Sequence, residues 1–170
     1  MELYFLRHAL AVERGDPKYK DDSLRPLTEP GREKMRRAAL GMQALGLKFD
    51  AVLSSPYLRA RQTAEIVSQV YKMKKRELHL TDNLLPPASI KGLLQEVHAQ
   101  FPQSKNVLLV GHEPHLTTMI SVLLTSNKHL PIDFKKGGLC CLTLDQPTGV
   151  SLNWLLTPTQ LGLMAQSRQD

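Results

Sequence analysis

The stretch Leu3-Tyr4-Phe5-Leu6, closed at once by Arg7 and His8, constrains the fold of this chain more than any other. Four consecutive apolar residues leave no polar face, so they describe a strand buried on both sides, the kind found inside parallel sheets. In open α/β sheets, ligands bind beyond the carboxyl ends of the strands. Buried charge is costly unless it is paired or used. A guanidinium and an imidazole at such a strand end therefore point to an anion site with a nitrogen nucleophile or base. Taken alone, Arg7 and His8 are equally what a strand carries where it surfaces. The pattern recurs, however: Ala51-Val52-Leu53 runs into Ser54-Ser55-Pro56, and Asn106–Val110 runs into Gly111-His112-Glu113-Pro114.

Helical patterns separate these runs. Thr28 is the expected N-cap of a helix from about Glu29 to Leu45, with Pro30 near its start, a stripe of Met35, Ala38, Ala39, Met42 and Leu45, and Gly46 as its stop. Ser55 as cap and Pro56 as first residue open a second helix to about Tyr71, with Arg59 in its first turn. A short strand over Glu77–Thr81, a loop with Pro86-Pro87, a helix capped by Ser89 to about Phe101, and a helix from Pro114 to Thr125 follow. From Leu130 the helical pattern ends. Leu139–Leu144 and Val150–Leu156 alternate around the turn-like Asp145–Gly149 as an antiparallel hairpin, and Thr157-Pro158 opens a short last helix. With no repeat and no linker, residues 1–170 read as one domain. Its class is α/β: a three-layer α/β/α sandwich with a mostly parallel central sheet and a C-terminal antiparallel hairpin.

A net charge of +6 favours acidic or phosphorylated partners. The basic residues are scattered, and their only run, Lys72–Arg76, reads as a solvated helix end. With few aromatics to stack on bases, no nucleic-acid partner is expected. Cys140 and Cys141 are neighbours, which on a strand point to opposite faces, so no disulfide joins them and a reducing compartment fits. No apolar run reaches membrane-spanning length and no export leader is evident; a cytoplasmic protein without membrane contact is expected.

If the three strand ends are neighbours, Arg7, His8, Arg59 and His112 share one pocket. Two planar guanidiniums match the oxygens of a phosphoryl group and stabilise charge on them during transfer. A neutral imidazole between them can attack phosphorus and form a phosphohistidine that water then cleaves. The adjacent positive charge disfavours imidazolium and keeps the lone pair free. Loops after strand ends are where site residues gather, and Arg25, closing the polar loop Glu13–Arg25, stands just before the next element. His112 and His115 have a spacing compatible with a metal, but no third ligand is evident, so neither metal nor cofactor is expected.

Three groups of residues resemble the signature of the histidine phosphatase superfamily: Leu6-Arg7-His8-Ala9; Ser55-Pro56 with Leu58-Arg59-Ala60 and Gln62-Thr63-Ala64; and Val110-Gly111-His112-Glu113-Pro114. The short chain, Arg25-Pro26-Leu27-Thr28 with Gly31, and Asn153-Trp154 with Pro158 narrow the resemblance to SixA-type phosphohistidine phosphatases. The resemblance implies that His8 is the nucleophile, that Arg7 and Arg59 bind the phosphoryl group, that His112 completes the pocket, and that Arg25 lies near it. It implies a phosphorylated protein or small phosphorylated molecule as partner. Ala9 departs from the superfamily's glycine, which matters only if φ is positive there. Leu85-Pro86 stands where larger relatives carry a general-acid glutamate; among nearby carboxylates (Glu77, Asp82 and Glu96), Asp82 is the best placed substitute. A protonated phosphoramidate nitrogen needs much less help than an alkoxide, so a missing acid favours N–P bonds, such as phosphohistidine, over sugar-phosphate esters. The alternatives are a phosphatase of small phosphoesters, using Asp82 or His112 as acid, and a non-catalytic phosphate-binding module.

Overall fold

The computed structural model describes residues 1–74, 78–126, 129–145 and 149–166. The strands are β1 (Glu2–Arg7), β2 (Ala51–Ser54), β3 (Leu78–Leu80), β4 (Asn106–Gly111), β5 (Leu139–Asp145) and β6 (Gly149–Leu156). They form one sheet in the order β3-β2-β4-β1-β5-β6. The first four by sequence run parallel, and β5 and β6 close the sheet as an antiparallel hairpin on β1. Glu77, Lys75, Arg76 and the tip of the expected hairpin turn, residues 146–148, lie outside the described residues.

The two-sided burial of β1 has a simple cause. Tyr4 and Leu6 enter one core with Val52, Leu108 and Val110, while Leu3 and Phe5 enter the other with Leu53, Val107 and Leu109. The helices α1 (Glu29–Ala44), α2 (Leu58–Val70) and α5 (Pro158–Gln166) supply the first core; α3 (Ile90–Gln100) and α4 (His115–Thr125) supply the second. This is the expected three-layer sandwich. Each large apolar side chain so buried contributes about 1.5–3 kcal/mol.

Local signals place the helix ends. The Thr28 hydroxyl accepts from the Gly31 amide at 3.1 Å, and α1 stops at Ala44 with Gly46 at φ +75°. Ser89 accepts from the Gly92 amide at 3.1 Å. Gly41 is required by close packing, since a Cβ there would lie 1.8 Å from the Leu161 carbonyl oxygen of α5. One expected cap is corrected. Helix α2 begins at Leu58, not Pro56, and its N-cap residue Tyr57 makes no side-chain cap. The Ser55 hydroxyl accepts from the Tyr57 amide at 3.3 Å and is otherwise engaged with His112. Arg59 still falls in the first turn.

Register decides where the strand ends lie. Arg7 pairs with Gly111 across β1 and β4, and Ser54 pairs with Val110 across β2 and β4. The residues that follow, His8, His112 and Ser55, therefore emerge side by side from three adjacent strands.

Candidate active site

His8 is fixed through its own backbone. Its amide donates to the Gly111 carbonyl at 3.0 Å, and the Gly137 amide donates to the carbonyls of Arg7 and His8 at 3.0 and 3.2 Å. The Ala9 amide donates to Thr63 Oγ1 at 3.0 Å, and that hydroxyl donates to the Arg59 carbonyl at 2.7 Å, tying the β1 end to α2. Positive φ among the described non-glycine residues occurs at Lys72 and Ser126. Ala9 is therefore unstrained in place of glycine.

The imidazole of His8 is buried, with Nδ1 2.7 Å from the Ala9 carbonyl oxygen. A carbonyl can only accept, so Nδ1 carries the proton and Nε2 keeps its lone pair. Burial, and then the charges of Arg59, Arg7 and Lys136, push its pKa down to about 3 against the opposing Ala9 bond. The His112 ring lies 5.2 Å away, tilted by 54°, with Nε2 2.8 Å from Ser55 Oγ. Burial, His8 and Arg59 likewise push His112 down to about 3. Both rings are neutral at physiological pH.

The guanidiniums come from opposite sides. Arg7 donates through Nη1 to the Phe134 carbonyl at 2.5 Å. Arg59 donates through Nη1 to the Asp22 carbonyl at 2.7 Å and through Nη2 to Asp22 Oδ2 at 2.9 Å. Arg25 Nε (2.9 Å) and Arg14 Nε (3.2 Å) donate to Asp22 Oδ1. Against the cost of burial, Arg59, Arg14 and Arg25 hold the Asp22 carboxyl at about 2. Within this group of side chains three buried nitrogens have no partner among the described residues: Arg7 Nε, Arg59 Nε and His112 Nδ1.

Arg7, His8, Arg59 and His112 thus come together, and Arg25 joins them through Asp22. A cavity of about 620 Å³ opens on the Arg59 and His112 side of this group, lined also by Asp16, Asp22, Arg25, Tyr57 and Glu113, with Pro86 on its wall; His8 and Arg7 stand behind that lining. Asp82 does not join: it is exposed on a 3₁₀ turn, Asp82–Leu84, and is not part of the lining. Glu96 accepts from Thr81 and Asn83, and both oxygens of Glu113 accept from Thr117. His115 is buried on α4 with Nε2 unpartnered, and no group of three or more potential metal ligands forms among the described residues. Burial raises both thiols, Cys140 to about 12, leaving them unreactive.

A two-faced α/β sheet with two neutral imidazoles and two guanidiniums at its carboxyl edge has the donors that an anion with several oxygens requires. A sequence model of the histidine phosphatase superfamily (branch 1) matches residues 3–84. An uncharacterized protein of Picosynechococcus sp. is 36% identical over 82% of both chains. The phosphohistidine phosphatase SixA of Escherichia coli is 26% identical over 95% of this chain and 96% of its own. A solved structure of SixA complexed with tungstate superposes with a TM-score of 0.81 at 26% identity, covering 95% of this chain and 99% of that one. A phosphoserine phosphatase of Entamoeba histolytica, at 15% identity and a TM-score of 0.70 over 94% and 98% of the two chains, shares the fold. The chain belongs to the histidine phosphatase superfamily and is similar to its SixA-type phosphatases.

Proposed function

We propose that this chain, as a single domain, hydrolyses phosphohistidine in a signalling protein of a reducing, cytoplasmic compartment through a phosphoryl intermediate on His8. The observation that carries the chemistry is the set of three buried donors without partners, Arg7 Nε, Arg59 Nε and His112 Nδ1, on side chains around a neutral His8. An unmet buried donor costs about 1–3 kcal/mol, and a phosphoryl group offers the oxygens that satisfy all three. Nε2 of His8 attacks phosphorus, forming an N–P bond as the bond to the leaving nitrogen breaks. That nitrogen departs with the bonding electron pair, and the imidazole leaves neutral because its other ring nitrogen carries the proton. The guanidiniums and His112 Nδ1–H, protonated when Ser55 donates to Nε2, stabilise the charge on the transferring oxygens. Water then cleaves phospho-His8, releasing phosphate and the free imidazole.

The preference for nitrogen leaving groups rests on the carboxylates. Asp22 is ionised and held by three arginines, Glu113 is bound to Thr117, Asp16 on the cavity's loop side accepts from the Lys18 amide, and Asp82 is exposed outside the cavity. None is poised to protonate an alkoxide, whereas a phosphoramidate needs little protonation. The likeness to SixA supports the same substrate class. Rapid quench with radiolabelled phosphoramidate should trap an acid-labile, base-stable phosphoryl-enzyme that His8→Ala abolishes; label on any other residue overturns the assignment.

A further inference from the structure

A second cavity, of about 640 Å³, has Arg7 and Ala9 in its own lining. Its floor is apolar, with Leu10, Pro30, Met35 and Pro158, and its rim carries Lys34 from α1 and Lys135 and Lys136 from the segment before β5. Past Pro30 and Thr159 the trough continues along the seam of α1 and α5 to Leu163. Leu10 and Leu163, at its two ends, are both exposed. The charge is unbalanced. Asp133 is held by Lys135, and Arg37 by Glu33, while neither Lys34 nor Lys136 has a carboxylate partner among the described residues.

A phosphoimidazole group reaching His8 would touch this trough only at its Arg7 end, since His8 is not in the lining, and would leave the stretch from Pro30 to Leu163 without an occupant. A histidine carried on a protein brings its surrounding surface to the mouth, and that surface must lie on what borders it. The rim around Asp22 and Glu113 mixes both signs of charge, with three arginines gathered on Asp22 and a single lysine, Lys20; the Arg7 side offers two unpaired lysines over an apolar floor. We infer that this trough docks the polypeptide flanking the phosphohistidine, and that the flank is acidic with an apolar residue at its centre. The assignment rests on the phosphohistidine reading and names the chemistry of the partner. Complementary charge at such a rim sets which partner is accepted more than how fast the bond breaks.

The test uses two fluorescent peptides carrying a non-hydrolysable phosphohistidine mimic, one flanked by Asp, Glu and Leu, the other by Lys and Leu. At low salt the full chain should bind the acidic peptide roughly tenfold more tightly, with the gap narrowing as salt screens it. Lys34→Glu, on the exposed face of α1, should erase or reverse the preference while leaving turnover of imidazole phosphate unchanged. Equal affinities in the unaltered protein, or an acidic preference that survives Lys34→Glu, would overturn the proposal. Failure of the unaltered protein to turn over imidazole phosphate would instead strike the phosphohistidine reading, with the peptide affinities still reporting on the trough.

Discussion

On one side of the His8 pocket Arg14, Arg25 and Arg59 close on the carboxylate of Asp22; on the other, Lys34 and Lys136 stand exposed with no carboxylate among the described residues. The two rims carry similar charge to different ends. The Asp22 rim uses opposite charge to hold a guanidinium still, and a fixed donor stabilises a developing oxyanion without reorganising. The lysine rim stays uncompensated and is free to meet a ligand of opposite sign. Positive charge beside an active site is therefore not one feature: its partners decide whether it shapes the chemistry or selects what approaches.

The largest effect that sharpens this contrast lies in the arginines. Arg7→Ala and Arg59→Ala should each lower kcat/KM by roughly two to three orders of magnitude, as when other transition-state donors are removed. If Asp22 acts by holding Arg59, Asp22→Asn should lower kcat/KM by roughly ten- to a hundredfold, the range expected when a catalytic group is misplaced. Little further loss should appear when Asp22→Asn is added to Arg59→Ala. Full additivity in that double-mutant cycle would break the contrast, because Asp22 would then act independently of the guanidinium.

Asp22 was also the residue least legible in the sequence. It sits in a polar segment that reads as surface loop, and its contact with Arg59 spans 37 residues, a pairing no local spacing announces. Arg7, His8 and His112 were legible because a polar residue directly after an all-apolar strand violates the pattern that built the strand. Arg59 was legible from its place in a helix's first turn. The convergence of all four needed the strand order, and periodicity gives no order: only the pairing of β1 and β2 on either side of β4 joins them. Ser55 shows the opposite failure. Its local signal, serine before proline, suggested a helix cap, but the tertiary contact with His112 claimed the hydroxyl.

The buried histidines and the Asp22 rim should differ in their response to acid. His8 and His112 titrate at about 3 when folded and near 6.5 when unfolded. Between these values the unfolded chain binds more protons, so their contribution is complete above about pH 6.5 and is lost as pH falls toward 3. Asp22, at about 2 when folded, adds a loss only below about pH 4, where an unfolded aspartate takes up its proton. Denaturant midpoints should fall from pH 7 to 5 through the histidines, and a His8→Phe, His112→Phe double variant should show a shallower fall over that range. NMR shifts of both rings should stay neutral at pH 5, where a free imidazole is mostly protonated; an imidazolium signal there would remove the lone pair from the proposed nucleophile.

The smallest expected effect falls on Asp82, which belongs to neither rim. It is exposed on the turn after β3, outside the cavity, with Pro86 on the wall where larger relatives carry their acid. Rates on a series of aryl and alkyl phosphates should then fall steeply with rising leaving-group pKa, because the departing oxygen gains little protonation. Phosphoramidates should stand above that line, and Asp82→Asn should change neither rate by more than about twofold, as expected of a surface substitution remote from the chemistry. A dependence that is flat in the unaltered protein and steep in Asp82→Asn would make Asp82 a working acid. The turn would then have to swing over the pocket in the substrate complex, and the small-phosphoester reading would replace the phosphohistidine one.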